Sequence, residues 1–269
     1  MQPSVMKPAY FENDGLRLAF FRDGSQKPPL LLFHGIGVDS TCWGTLPEHY
    51  SHDFEVILLD LRGHGHSELG ETLFSRRDLA RDAGALLNAL GLRDVTIIGH
   101  SLGAEVALLT AAAFPDLVRR IVMLDPPLKP GSTHPTEQET EREIAMWLDL
   151  QHKPYNEYEQ LYAEITPWMD AAALKNLFKA QRLFKPGFLC SIRAEPQGWQ
   201  TAAETVTCQG LLVATAGETK PHFAADGEAE LRRLWPACEV VRVPGTGHLL
   251  HLQKPESVLP LIDAFVGGG

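Results

Sequence analysis

The sequence predicts an α/β protein: a mostly parallel central sheet of about eight strands with helices on both faces and one helical insertion. Three observations carry this. Strand patterns recur at 29–33, 55–59, 95–98, 121–124, 210–215 and 239–243, and the continuous apolar run at 29–33 suits a strand buried on both faces, as in a parallel sheet. Helical patterns separate most of them. From 126 to about 205 the alternation breaks, and only helices and loops are read there. A chain of 269 residues is near the upper limit for one hydrophobic core. The division read from this is a core of 1–125 and 206–269 with a helical cap at 126–205.

Taken in order, residues 16–21 form an early strand after the turn Asn13-Asp14-Gly15. The run at 29–33 ends at His34-Gly35-Ile36-Gly37, and 41–50 holds a short helix. The strand at 55–59 ends in Asp60-Leu61-Arg62-Gly63-His64-Gly65-His66-Ser67. Residues 75–90 are a helix that Gly91 stops. The strand at 121–124 ends at Asp125-Pro126-Pro127. In the insertion, Thr136 and Glu139 have the spacing of a capping box, and 155–165 and 169–184 are helical. Helices at 224–234 and 255–266 flank the last strand, which turns through Pro244-Gly245-Thr246-Gly247-His248.

Composition narrows the function. A net charge of −10 argues against nucleic acid, whose phosphates need Lys and Arg, and against an anionic membrane surface. Cys42, Cys190, Cys208 and Cys238 form no C-x-x-C pair, so neither a zinc site nor a redox dithiol is expected and the thiols read as free. Residues 1–10 lack the apolar run of a signal peptide, and no stretch has the length of a membrane span. A cytoplasmic protein without metal or cofactor is expected, as a monomer or small homo-oligomer.

The most informative stretch is Gly99-His100-Ser101-Leu102-Gly103, a G-x-S-x-G pattern between a strand and a helix-forming segment. A sharp strand-to-helix turn lifts the serine hydroxyl clear of the sheet, and the small flanking residues make it sterically possible. The competing reading is a glycine-rich turn with an idle serine. His34, Arg62, Ser101, Asp125 and His248 all fall just past strand ends. Ligands of such sheets sit outside that edge, so five polar groups there predict an active site.

With these residues in view, the chain resembles α/β-hydrolase-fold enzymes with a helical cap, from about residue 16 to 266. The matching motifs are His34-Gly35, Arg62-Gly63-His64-Gly65-His66-Ser67, the Ser101 turn and Gly247-His248. The resemblance implies a nucleophilic Ser101 with His248, last in chain order, as its base. Among eleven histidines, His34, His100, His64 and His66 read as scaffold and His251 as a decoy. The acid departs from the common pattern. Many relatives carry Gly-x-x-Asp after the next-to-last strand, whereas here Gly217-Glu218-Thr219-Lys220 puts lysine at that place. Asp125, 24 residues after Ser101, resembles the acid of haloalkane dehalogenases and certain amide hydrolases, with Glu218 as the alternative. A strand-end aspartate before proline can also merely cap its loop. The backbone N–H groups of Leu102 and Ile36 are the expected oxyanion donors.

These residues imply a serine esterase that cleaves a carboxylic ester, lactones included, through an acyl-enzyme with water as the second reactant. The cap carries Trp147, Trp168, Trp199, Tyr155, Tyr158 and Tyr162. Such an aromatic lid suits small to medium, mainly apolar substrates, with Trp147, Tyr158 and Trp168 as the expected substrate-binding side chains. Their other reading is simple packing of cap on core. Two alternatives remain. Cofactor-free dioxygenases of N-heteroaromatic compounds resemble the chain in fold, in Ser and His, and in an Asp after the same strand. A hydrolase-like ligand receptor would share the same pocket. Dehalogenase and epoxide hydrolase activities are disfavoured, because those enzymes need a carboxylate where Ser101 stands.

Overall fold

The computed structural model describes residues 6–130, 135–193, 198–216 and 223–267. The chain runs β1 (Ala9–Asn13), β2 (Leu16–Arg22), β3 (Pro29–Phe33), α1 (Leu46–Tyr50), β4 (Glu55–Leu59), α2 (Arg76–Ala89), β5 (Val95–His100), α3 (Leu102–Ala113) and β6 (Val118–Leu124). It continues through α4 (Glu137–His152), α5 (Tyr155–Ile165), α6 (Ala171–Leu183), α7 (Phe188–Ser191) and α8 (Gly198–Thr205) to β7 (Gln209–Ala216), α9 (Ala225–Leu234), β8 (Cys238–Pro244), α10 (Leu250–Gln253) and α11 (Pro255–Gly267).

The strands form one eight-stranded sheet in the order β1-β2-β4-β3-β5-β6-β7-β8. β2 pairs antiparallel with β1 and β4, and every other pairing is parallel. The predicted mostly parallel α/β sheet is therefore observed. The strand missed by sequence is β1, an edge strand whose residues are exposed or half-buried and so carry no continuous apolar run. It forms a hairpin with β2 across Asp14 (φ 51°) and Gly15 (φ 75°), and positive φ at both central residues is what a tight type I′ turn needs.

Alternate residues of the central strands enter opposite layers. Leu31, Phe33, Ile57 and Ile97 pack in one cluster; Leu30, Leu32, Val56, Leu58 and Ile98 pack in the other. Each such side chain contributes about 1.5–3 kcal/mol by leaving water. Local signals agree with the packing. Thr136 and Glu139 form the predicted capping box of α4, Ser75 and Asp78 form another at α2, and Gly91 (φ 68°) ends α2.

Helices α4 to α8 lie between β6 and β7. Specific contacts tie this segment to the loops after β3 and β4: the Trp147 ring of α4 sits against Gly37, and Lys185 donates from Nζ to the Ser67 carbonyl at 2.7 Å; within the segment Trp199 donates from Nε1 to the Lys129 carbonyl at 3.3 Å. Trp199, Ala202 and Ala203 of α8 join the same cluster as Leu108 of α3. Among the described residues no helix is long and apolar enough to cross a membrane.

Candidate active site

Strand register brings three distant segments to one edge. His100, the last residue of β5, pairs with Leu124, the last of β6, so Ser101 and Asp125 leave adjacent strands at one level. Leu124 pairs in turn with Val213 of β7, and β8 ends at Pro244, four residues before His248. Backbone bonds lock the departures: the Ser101 N–H donates to the Leu124 carbonyl and the Asp125 N–H to the Val213 carbonyl, both at 2.9 Å.

Ser101 sits at φ 53° and ψ −119°, a backbone state that costs a non-glycine residue about 1–3 kcal/mol. Its surroundings enforce it. A Cβ on Gly99 would lie 2.2 Å from the Gly103 carbonyl oxygen, and one on Gly103 would lie 2.0 Å from that of Phe33. The start of α3 is thus pressed onto the end of β3, and only glycine fits at either place. Asp125 also has positive φ, 44°, and is fully buried.

The His248 imidazole is part-exposed and donates from Nδ1 to Oδ2 of Asp125 at 2.7 Å. The other carboxylate oxygen lies 3.5 Å from the Thr215 N–H. The turn that presents His248 is itself fixed. Gly247 N–H donates to Gln253 Oε1 at 2.6 Å, and His100 Nε2–H donates to the His248 carbonyl at 2.9 Å. His100, read from sequence as scaffold, ties the serine turn to the histidine turn.

The expected oxyanion donors belong to two segments, the start of α3 and the loop after β3. Leu102 opens α3, whose first N–H groups have no intrahelical acceptor. Ile36 follows Gly35, at which a Cβ would sit 3.3 Å from Ser101 Cβ. His34 holds the Gly35 turn: Nδ1–H donates to the Gly35 carbonyl at 2.7 Å, and Nε2 accepts from Leu61 N–H at 3.0 Å. Both nitrogens are then committed in the neutral ring, and burial lowers the His34 pKa in the same sense. Arg62 leaves the edge. Its guanidinium makes two 2.7 Å hydrogen bonds to buried Asp82 of α2. Glu105, one turn past Ser101, is buried and paired with Arg76 at 2.9 Å. Glu218 lies outside the described residues.

A sequence profile of the alpha/beta hydrolase family matches residues 30–261. The chain belongs to this family. It is 31% identical to a 2-(acetamidomethylene)succinate hydrolase of Mesorhizobium japonicum, over 91% of this chain and 90% of that protein. The crystal structure of an E-2-(acetamidomethylene)succinate hydrolase superposes with a TM-score of 0.75 at 26% identity, covering 97% of this chain and 99% of the other. A carboxylesterase of Bacillus subtilis superposes with a TM-score of 0.77, covering 100% of this chain and 94% of the other; at 20% identity it shows the shared fold alone. The chain is a hydrolase of the α/β fold.

Beside the site lies a mainly apolar cavity, walled by the loop after β3, by α6 and by α10. His100 and Leu249, neighbours in sequence of Ser101 and His248, form part of its wall. Trp147, Tyr158 and Trp168 do not line this cavity. The Tyr158 hydroxyl donates to Gln181 Oε1 at 2.7 Å inside a small cluster with Leu174 and Leu177. The Trp147 ring instead covers Gly37, next to Ile36. Sequence reasoning missed His251 and Trp43, which line the cavity with rings 5.2 Å apart. Burial and the neighbouring His248 push the His251 pKa down to about 3. The only sequence signal for His251 was its spacing of three from His248; His248 lies in the turn before α10 and His251 within that helix. Among the described residues no group of His, Cys, Asp or Glu is placed to hold a metal ion.

Proposed function

We propose that the protein is a serine hydrolase that cleaves a carboxylic ester, lactones included, of a small to medium, mainly apolar substrate through an acyl-enzyme. The observation that carries this reading is the 2.7 Å contact of His248 Nδ1 with buried Asp125, beside a strained Ser101. His248 takes the Ser101 proton as the hydroxyl attacks the substrate carbonyl, and the departing alcohol receives that proton. Water then attacks the acyl-enzyme with His248 again as base, which releases the acid and restores Ser101. Buried Asp125 keeps Nδ1 protonated, leaves Nε2 to act, and stabilises the imidazolium. The Leu102 and Ile36 N–H groups receive the oxyanion, each worth about 3 kcal/mol of barrier. Residues 126–205 act as a cap over this edge.

The geometry around Asp125 favours it over Glu218 as the acid. The relative named for a succinate acts on a dicarboxylate, and that substrate is not carried over to this chain, whose cavity walls are mainly apolar. Hydrolysis of chromogenic esters graded by acyl length, run with Ser101→Ala and Asp125→Asn beside the parent, tests the reading. Both variants should lose activity by orders of magnitude. Parent-like turnover in Ser101→Ala would refute it.

A further inference from the structure

We propose that the cavity beside Ser101 binds a neutral, carboxylate-free group of the substrate, and that Met169, Ala173 and Asn176 on its α6 side govern what enters. This rests on the serine hydrolase reading and names the substrate class of that site. The cavity reaches the reacting edge through Gly35 and His100, both of which touch or adjoin Ser101. Its described walls are mostly carbon, with Val38, Trp43, Leu177 and Leu252 among them.

Two of its three imidazoles, His34 and His251, carry no positive charge to offset an anion. His34 has one nitrogen donating and the other accepting, which only the neutral ring can do. His251 is held neutral by burial, its pKa near 3. The Cys42 thiol is pushed well above its ordinary range by burial and by Asp39, so it supplies no thiolate. A carboxylate entering here loses its water shell and meets no Lys or Arg among the described lining residues, a cost of orders of magnitude in affinity. The net charge of −10 adds a repulsive field at longer range. A neutral branched or aryl group loses no such hydration and gains apolar contact. Met169, Ala173 and Asn176 are only half-buried, so larger or charged side chains can be accommodated there without rebuilding the core.

The test uses methyl 4-methylpentanoate and monomethyl succinate at neutral pH, two esters of similar shape in which isopropyl replaces carboxylate. Calorimetry on Ser101→Ala reads binding without turnover, and kcat/KM is measured on the parent, Asn176→Arg and Ala173→Leu. The neutral ester should be favoured about 100-fold in both readouts. Asn176→Arg should narrow that gap at least about tenfold, through KM for monomethyl succinate. Ala173→Leu should lower kcat/KM for methyl 4-methylpentanoate relative to methyl acetate. Absence of binding by the neutral ester, or a preference within about tenfold, overturns the proposal. So does a preference left unchanged in both variants when their melting temperatures match the parent. Turnover that survives in Ser101→Ala with the binding preference intact overturns the nucleophile and leaves the pocket standing.

Discussion

His248 Nδ1 lies 2.7 Å from Asp125 Oδ2, although 123 residues separate them in the chain. The carboxylate is fully buried while the imidazole keeps about a third of its surface, 29%, in contact with solvent. One partner can therefore orient and the other can exchange protons. Asp125→Asn keeps the shape but lets the imidazole settle in the wrong tautomer. Its kcat should fall by about 10³–10⁴-fold in steady-state ester hydrolysis, while Glu218→Gln stays within about tenfold of the parent. The reverse pattern would move the acid to Glu218.

Gly99 and Gly103 are predicted to be irreplaceable for a steric reason. Gly103→Ala puts a methyl 2.0 Å from the Phe33 carbonyl oxygen, a rigid backbone atom that cannot step aside. Urea unfolding should show a loss of about 3 kcal/mol or more, with activity falling further than stability because the serine turn shifts.

Trp147 links the inserted helices to the proposed oxyanion donor at Ile36. Its ring fills the space above Gly37, and a Cβ there would lie 2.0 Å from Trp147 Cη2. Trp147→Ala should release the loop and reduce kcat by about 10–100-fold with a smaller change in KM. Trp147→Phe should recover part of the loss. A change confined to KM would make Trp147 a substrate contact instead.

The buried histidines set a pH dependence of stability. Burial lowers the pKa of His34, His64 and His251 in the folded chain, the last to about 3. Below about pH 6.5 the unfolded chain binds protons that the folded one refuses, so stability falls as pH falls. Each such group contributes about 1.4 kcal/mol per pH unit between its unfolded and folded pKa. Asp39, raised by burial and by Asp60, opposes this trend above about pH 3.8, because its folded form holds a proton longer than the unfolded one. Chemical unfolding at pH 7 and pH 5 should show the loss, and His251→Phe should make the slope shallower by about one histidine.

Arg62 and Asp82 form a buried pair whose value is structural. Their side chains are 4% and 2% exposed, with two hydrogen bonds of 2.7 Å, and Asn13 also donates to Asp82 at 2.8 Å. Arg62→Ala strands a buried carboxylate and should cost about 3–5 kcal/mol, measured by thermal or chemical unfolding.

Most of the fold was legible because its strands are buried on both faces. Leu30 to Phe33, Val56 to Leu59 and Ile121 to Leu124 are nearly fully buried, and such runs announce themselves in sequence. β1 was silent because an edge strand with half its surface wet carries no run. The short helices α7, α8 and α10 were silent as well: four to eight residues give too few turns for a periodic signal. At the candidate site, motif and chain order led to Ser101 and His248, and lysine at position 220 redirected attention to Asp125. Arg62 looked the same from sequence as the other strand-end groups, because direction of a side chain is decided by its tertiary partner, here Asp82. The contacts of Trp147 with Gly37 and of His251 with Trp43 join segments about 100 and 200 residues apart, which no local pattern encodes.

The central claim is that the Ser101 hydroxyl carries the acyl group during turnover. Rapid quenching during hydrolysis of a p-nitrophenyl ester, followed by peptide mass spectrometry, measures it most directly. The account predicts one acyl mass on the peptide that contains Ser101, formed within the first turnover and absent from Ser101→Ala. Steady hydrolysis with the acyl group found on another residue would contradict it.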